Sequence, residues 1–530
     1  MKKILTGFIL GTVLMVSQSC KKYLDINVNP NNATYSTPEL VLPQAITRTA
    51  QNVVTFNNYG GQAVGYFANG GGVSGWGSII SYNYTTSEFS NLWGNTYDIL
   101  QDFQYVLEGT KGKTSYAYYN AAAKIMKAYN FQLLVDTYND VPYTDAFQGT
   151  TNLQPKYDKA EDIYKDLAVQ LDSAILIIKT ARSQTEDDKK PMALTSAADV
   201  MFKGDVSKWI QLANTIKLRL IVRAKDKVAF VNTTFDNSGF LEDDAIINPG
   251  YARIDGKQNP HWDAFAYSPA NAARTVGAQY VPTPFILSFY DDSKLVDTGR
   301  GRVTYKAWTG TNGVNTPKNQ LGYQGSDAAR GATPNSWFIG TSATDYTQLG
   351  IFKGFDAGQP IFLLSEVFFL QAEANVRGIL TGDAATNFNK GIEASFRYLY
   401  KNAQNTVAAG RNPTTAAANY IAANNTRYLA NFALATTNDQ KIEAIITQKY
   451  IALNMIHSHE AWNEYRRTGY PRVVAGSSDA KLTFASSVSQ ANRPDRLPTR
   501  ILYPETEFRY NQANVPKNVT STSSKIFWAL

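Results

Sequence analysis

Cysteine is nearly missing from this sequence of 530 residues: Cys20 is the only one. No disulfide can form within one chain, and cysteine-based metal sites are excluded. Histidine is almost as scarce, with His261, His457 and His459. The run His459-Glu460-Ala461-Trp462-Asn463 starts like a zinc-protease helix but carries Asn463 where the second ligand belongs. His457 and His459 are two apart and do not share a helical face. Gly112-Lys113-Thr114 has Leu107 where a phosphate loop needs its first glycine, so Gly109 and Gly112 are expected to form a turn between helices. A Gly-x-Ser-x-Gly elbow does not occur. The sequence therefore predicts no metal, no cofactor and no catalytic activity. Charge is thin as well: 18% of residues are charged, and the net charge of +7 comes without a basic run. Spread over this length, it argues against nucleic acid as a partner.

Long apolar runs are also lacking. The longest near the start, Ile4 to Val16, falls short of the roughly 20 residues of a membrane span. It follows Lys2 and Lys3 and precedes Ser17-Gln18-Ser19 and Cys20, the layout of a secretory signal. Residues 1–19 are thus expected to be removed, which lowers the net charge to +5. The lone cysteine at the cut resembles the lipidation site of a bacterial lipoprotein, although Ser17 stands where such signals usually carry an aliphatic residue. The resemblance implies acylation of Cys20. At about 0.8 kcal/mol per buried methylene, several chains anchor a protein without a spanning helix.

What the chain has in quantity is apolar and aromatic side chains: 44% apolar, with 32 Tyr, 26 Phe and 8 Trp. That composition describes an ordered globule. Helical spacing recurs. Thr37-Pro38-Glu39 opens a helix with proline in its first turn, carrying Leu42, Ile46 and Val53. Glu88 to Leu107 places Phe89, Trp93, Tyr97 and Leu100 on one stripe. Asn120 to Val135 follows and ends in the turn Asp136 to Tyr143. Asp158 and Glu161 are spaced for a capping box ahead of Ile163, Leu167, Leu171, Ile175 and Ile178. Asp205 is placed to cap a helix bearing Trp209, Ile216 and Leu220. Downstream, Leu363, Val367, Leu370 and Ala374 define one helix, and Phe388, Ile392 and Phe396 its neighbour. These spacings predict paired antiparallel helices: an all-α-dominated, tetratricopeptide-like repeat scaffold.

From Asp439 to Leu453 another apolar stripe leads to Ala461-Trp462-Asn463-Glu464-Tyr465-Arg466-Arg467-Thr468-Gly469-Tyr470-Pro471, where Gly469 and Pro471 end the helix. Such an aromatic and arginine block either locks helices together or presents a recognition surface. The run from Gln448-Lys449-Tyr450 to Gly469 resembles the C-terminal motif of the SusD/RagB family of nutrient-binding surface lipoproteins. Four further blocks fit in order: Asp136 to Ala146 with Pro155-Lys156-Tyr157, Asp199 to Arg223, Glu366 with Ala372-Glu373-Ala374, and Tyr503 to Asn511. Asp291-Asp292-Ser293 stands where many members read Asp-Pro-Arg, which points to a divergent subgroup.

Between the helical blocks, at about 226–359, the period fades and Gly, Pro, Asn and Thr rise. Trp262, Tyr267, Tyr280, Tyr305, Trp308, Tyr323, Trp337 and Tyr346 are scattered there. A stretch this long without clear elements reads as a functional excursion. A second such place is Asn69 to Gly77, where Trp76 has glycines on both sides and no helical partners, so it is expected to stand clear of the core. The expected organisation is a single domain over 20–530: a helical body at about 37–225 and 360–470, a loop-rich ligand lobe at about 226–359, and a closing segment over 471–530.

The family resemblance implies ligand capture by loops on the repeat scaffold. Sugars present C–H faces that pack on rings and hydroxyls that need amides and charged groups. Trp76, Trp308 and Trp337, with Asn69, Asn312, Gln320 and Arg274, have that chemistry and are the expected ligand-binding residues. The alternative for these rings is a small satellite core under the loops. The resemblance further implies an outer-membrane protein facing outward that delivers oligosaccharides to a SusC-like TonB-dependent transporter. A peptide-capturing member of the family would use the same scaffold. A secreted all-helical glycosidase would need a facing carboxylate pair; Glu366 and Glu373 fall in helices and are expected to be structural.

Overall fold

The structure is a computed structural model that describes residues 36–70, 76–187, 189–308, 336–340 and 349–530. Cys20, Asn312, Gln320, Tyr323 and Tyr346 lie outside these residues. Within them, ten helices run for eleven residues or more. Four come early: α1 (Pro38–Ala63), α2 (Asn91–Thr110), α3 (Ala117–Tyr138) and α4 (Ala160–Arg182), followed by α5 (Val206–Ala224). After the loop-rich stretch come α6 (Leu364–Val376), α7 (Ala384–Tyr400), α8 (Pro413–Ala423), α9 (Asn438–Leu453) and α10 (Ser458–Thr468). The all-α-dominated expectation holds, since among the described residues strands are confined to four short pieces.

Local signals act much as their chemistry predicts. Pro38 sits in the first turn of α1, and Thr37 is extended, though its side chain makes no capping bond. The Asp205 carboxylate accepts from the Ser207 N–H at 3.0 Å and caps α5. Thr437 and Gln440 form a reciprocal capping box on α9. Gly469, at φ 74°, ends α10 in the left-handed region. Gly112, at φ 71°, makes the α2–α3 turn, whereas Gly109 belongs to α2. The capping box expected of Asp158 and Glu161 does not form. Lys159 occupies the cap position of α4, and Asp158 instead accepts from the Tyr143 and Thr144 N–H groups at 2.9 Å each. That carboxylate is held by the preceding turn, so it is not free to cap.

Each long helix packs on its successor from α1 to α5; α5 meets α6, α6 meets α9, α9 meets α10, and α10 returns to α1. The N-terminal and C-terminal helices thus close one circuit around a continuous apolar core. Where α1 and α10 cross, Gly60 has no room for a side chain: a Cβ there would run into the backbone at Ser458 and His459.

Inside the circuit lies a buried ion network. Arg219 and Arg223 of α5, Asp136 of α3, Glu366 and Glu373 of α6, Lys449 of α9 and Glu460, Glu464 and Arg467 of α10 are all buried. Arg223 bonds Asp136 and reaches Glu460 at 2.5 Å. Lys449 lies 2.9 Å from Glu464 and 3.2 Å from Glu366. Arg466 donates to the Asp136 carbonyl at 2.7 Å, and Trp462 is 1% exposed. The aromatic and arginine block therefore locks helices and is not a surface. Glu366 and Glu373 are structural, as expected.

A short strand, β1 (Phe67–Asn69), follows α1; the lobe between α5 and α6 holds helices of four to seven residues and β2 (Ala245–Ile247), β3 (Tyr280–Pro282) and β4 (Gln359–Phe362). β1 pairs antiparallel with β3, and β2 with β4. Apart from Tyr251, the described aromatics of this lobe belong to, or pack against, the same apolar core as the helices.

Candidate functional site

The β1–β3 ribbon sets Asn69 opposite Tyr280, and the Gly70 N–H donates to the Gln279 carbonyl at 2.7 Å. Two segments far apart in sequence are thereby fixed side by side. Tyr280 stacks on Phe67 with centroids 4.1 Å apart and meets the Trp76 ring edge-on at 5.4 Å. Its hydroxyl donates to Asn58 at 2.9 Å, and burial pushes the phenol up to about 12. Trp76 is only 5% exposed. The expectation that it stands clear of the core is corrected: the partner its glycine-rich neighbourhood could not supply comes from β3.

Trp308 follows the short helix Thr298–Thr304 and packs on Gly301, where a Cβ would sit 2.7 Å from its Cε3. The Lys306 N–H donates to the Trp337 carbonyl at 2.8 Å, so Trp308 and Trp337 flank one stem. Both are buried, Trp337 fully. Among the described residues neither indole N–H has a hydrogen-bond partner. Burying such a donor unpaired costs about 1–3 kcal/mol, so each requires a reason. Arg274 is half-buried, bonds Asp263 and leaves its Nε–H unpaired as well.

Trp76 and Trp308 do not touch, but a file of rings connects them. From Tyr280 it runs through Phe265 (5.8 Å), Phe352 (5.8 Å), Phe338 (6.3 Å), Tyr305 (5.9 Å) and Tyr290 (5.6 Å) to Trp308 (6.4 Å). These separations fall in the range of interacting aromatic pairs. Asn454, at the end of α9, donates to the Tyr305 and Tyr290 hydroxyls at 2.7 and 3.2 Å and fixes the file to the helical body. His261 packs on Phe352 at 4.5 Å, and burial lowers its pKa to about 3, so it is neutral here. Trp76, Tyr280, Tyr305 and Trp308 of this file stood out in the sequence, whereas Tyr290 and the three phenylalanines did not. Phe265, Phe338 and Phe352 lie in aperiodic sequence, and only non-local pairing brings them into line. Tyr280 carried a usable signal, since it stands next to Val281-Pro282 in an otherwise turn-rich stretch.

The site is thus a set of rings with a few unpaired N–H donors, mounted on a rigid scaffold between two loop stems. It contains no facing carboxylate pair among the described residues named here. Aromatic faces beside isolated donors suit a ligand with C–H faces and hydroxyl groups.

A family model described as "Starch-binding associating with outer membrane" matches residues 30–504. No curated protein matches the chain. Solved structures do. A SusD homologue from Bacteroides fragilis is 20% identical, with a TM-score of 0.66, over 93% of this chain and 100% of its own. Another from Parabacteroides distasonis is 19% identical, with a TM-score of 0.65, over 93% and 98%. A chitin-binding SusD homologue from Flavobacterium johnsoniae is 19% identical, with a TM-score of 0.63, over 92% and 98%. At these identities the structures establish a shared fold.

Proposed function

The chain belongs to the SusD-like family of starch-binding proteins associating with the outer membrane, and on that premise we propose that it captures oligosaccharides at the cell surface and delivers them to a SusC-like TonB-dependent transporter. Acylation of Cys20 would hold it on the outer leaflet of the outer membrane. No described helix is long and apolar enough to cross a membrane, so a lipid anchor would supply the attachment. The mature chain, from residue 20 to the end, acts as one domain, with the helical body as scaffold and the lobe at about 226–359 carrying ligand contacts.

The observation that carries this reading is the ring file ending at Trp308, whose indole N–H, like that of Trp337 across the same stem, has no partner among the described residues. Trp76, Trp308 and Trp337 are proposed to offer ring surface, while Asn69, Arg274 and Gln320 supply polar contacts. For buried rings this requires the adjoining loops to open on ligand. Binding should be modest, because a delivery protein must release what it captures, and no step of the proposal breaks a bond.

The test is calorimetry of the soluble form beginning at residue 21 against starch and chitin oligosaccharides and mixed oligopeptides, with product analysis of each mixture. Glycan binding without breakdown, weakened by Trp76→Ala or Trp308→Ala, supports the proposal. Binding of peptides alone would assign the scaffold to peptide capture instead. Glycan hydrolysis would make the protein an enzyme and refute the reading.

A further inference from the structure

Lys124 and Lys127 stand about one turn apart on α3, and their amines reach to different helices. The Lys124 amine donates to the side-chain carbonyl of Gln170 on α4 at 2.7 Å, and the Lys127 amine to that of Gln104 on α2 at 2.6 Å. Between the three helices lies a cavity of ≈ 190 Å³, lined by both lysines and Gln170 together with Leu107, Phe131 and Leu167. Among the described residues that line it, the two lysines alone carry charge.

Both lysines are half-buried, and each is answered by a neutral amide. The acids whose charge reaches them are Asp166 and Glu108, and the same amides stand between. Gln170 donates to Asp166 at 3.2 Å, and Gln104 to Glu108 at 2.8 Å. The Tyr143 hydroxyl also donates to Asp166, at 2.5 Å. Lys127 lies 5.7 Å from the Phe131 ring centroid and 5.2 Å from that of Phe147; ring faces favour a cation but bring no countercharge. An ammonium has three donors, and each of these spends one on its glutamine. Burial lowers both amines, and the neighbouring Lys124 charge helps bring Lys127 to about 8, so that Lys127 is still mostly protonated at pH 7. Two like charges about a turn apart repel. Positive charge without an ion pair is thus left in an otherwise apolar wall, and one anion would relieve both groups.

We propose that this cavity binds a small organic acid, its carboxylate held by the Lys124 and Lys127 amines and its apolar body packed on Leu107, Phe131 and Leu167. Charge-assisted bonds from two ammonium groups fix the carboxylate. The volume falls below the roughly 300–1,000 Å³ of drug-sized pockets, which suits an acid of a few carbons. The site is independent of the glycan reading, because α2, α3 and α4 contribute no ring to the file between Trp76 and Trp308.

The experiment is calorimetry of the soluble form beginning at residue 21 with butyrate, hexanoate and benzoate, and with 1-butanol, 1-hexanol, benzyl alcohol and inorganic phosphate as controls. At least one acid should bind with a millimolar or tighter Kd. The matching alcohol and phosphate should bind at least about tenfold more weakly. Lys127→Met and Lys124→Met should each weaken the acid by about tenfold. Each variant removes an ammonium that no carboxylate holds, so its thermal midpoint without acid should stay at or above the wild type. Lost binding is then not lost folding, and either variant alone suffices if the other folds poorly. Failure of all three acids to bind overturns the site. Equal affinity for an acid and its alcohol removes the role of the lysines and overturns it, and equal affinity for the acids and phosphate removes the role of the apolar wall and does the same. Acid binding that both lysine variants retain lies elsewhere and overturns it as well.

Discussion

Arg467 grips Glu373 with two parallel bonds, Nη1 to Oε1 and Nη2 to Oε2, both 2.7 Å, across 94 residues of sequence. This pair joins α10 to α6, and Glu464 holds the same guanidinium through its Nε at 2.9 Å. The Arg467 and Lys449 charges keep the Glu464 carboxyl well below its ordinary range despite burial, and Arg467 also lowers that of Glu373. Removing Glu373 leaves Arg467 held by Glu464 alone, with part of its guanidinium unpaired in a dry interior. Glu373→Ala should destabilise the protein by about 3–5 kcal/mol, read as a lower urea midpoint. Glu373→Leu combined with Arg467→Met should recover most of that loss, because no buried charge is left alone. Equal losses in both variants would mean that the attraction, not the desolvated partner, dominates.

The α1–α10 crossing makes a separate prediction. The helices approach closely only because residue 60 lacks a side chain, and the obstacle is backbone that cannot rotate away. Gly60→Ala should lower stability by about 1–3 kcal/mol through overpacking, despite the better helix propensity of alanine. A thermal midpoint at or above the wild type would show that the two helices can part without loss.

All three histidines are buried, and burial lowers the pKa of each, to about 3 for His261 and His459. The unfolded chain regains values near 6.5. As pH falls from 6.5 towards 3, the unfolded state takes up protons that the folded state refuses, so stability falls. In the unfolded chain histidine is the side chain whose protonation changes most between pH 6.5 and 5.5. Each of the two contributes a slope approaching about 1.4 kcal/mol per pH unit once its unfolded form is fully protonated. Urea midpoints should drop between pH 7 and 5, and less so in His261→Gln. A midpoint flat across that range would show that the histidines are protonated in the folded state.

Much of the scaffold was legible because helical periodicity is local. The stripe Leu363, Val367, Leu370, Ala374 and its partner Phe388, Ile392, Phe396 mark a packed pair that needs no distant information. Asp158 was misread for the opposite reason: its spacing suited a cap, but the Tyr143–Thr144 turn claimed its oxygens first. Trp76 was expected outside the core because its sequence neighbours are glycines, while its actual partner, Tyr280, is two strands of chain away. The ends of the ring file could be named from composition, but their connection through Phe352 could not.

Trp308 provides the sharpest test of whether ring placement, and not mere presence, governs capture. Its ring lies against Gly301 in a helix of seven residues, and a methyl there would overlap it. Gly301 is itself buried and offers no polar side chain, so it cannot contact a ligand through one. Gly301→Ala must therefore act by moving the indole or the helix. If ligand packs on Trp308 as placed, this variant should weaken glycan binding by about tenfold, or about 1.4 kcal/mol, with a shifted tryptophan emission. Trp308→Ala should cost at least as much, and the double variant little more than Trp308→Ala alone, because both act on one ring. Undiminished binding in Gly301→Ala with altered emission would place the ligand elsewhere. Additive losses would instead give the short helix a contact of its own.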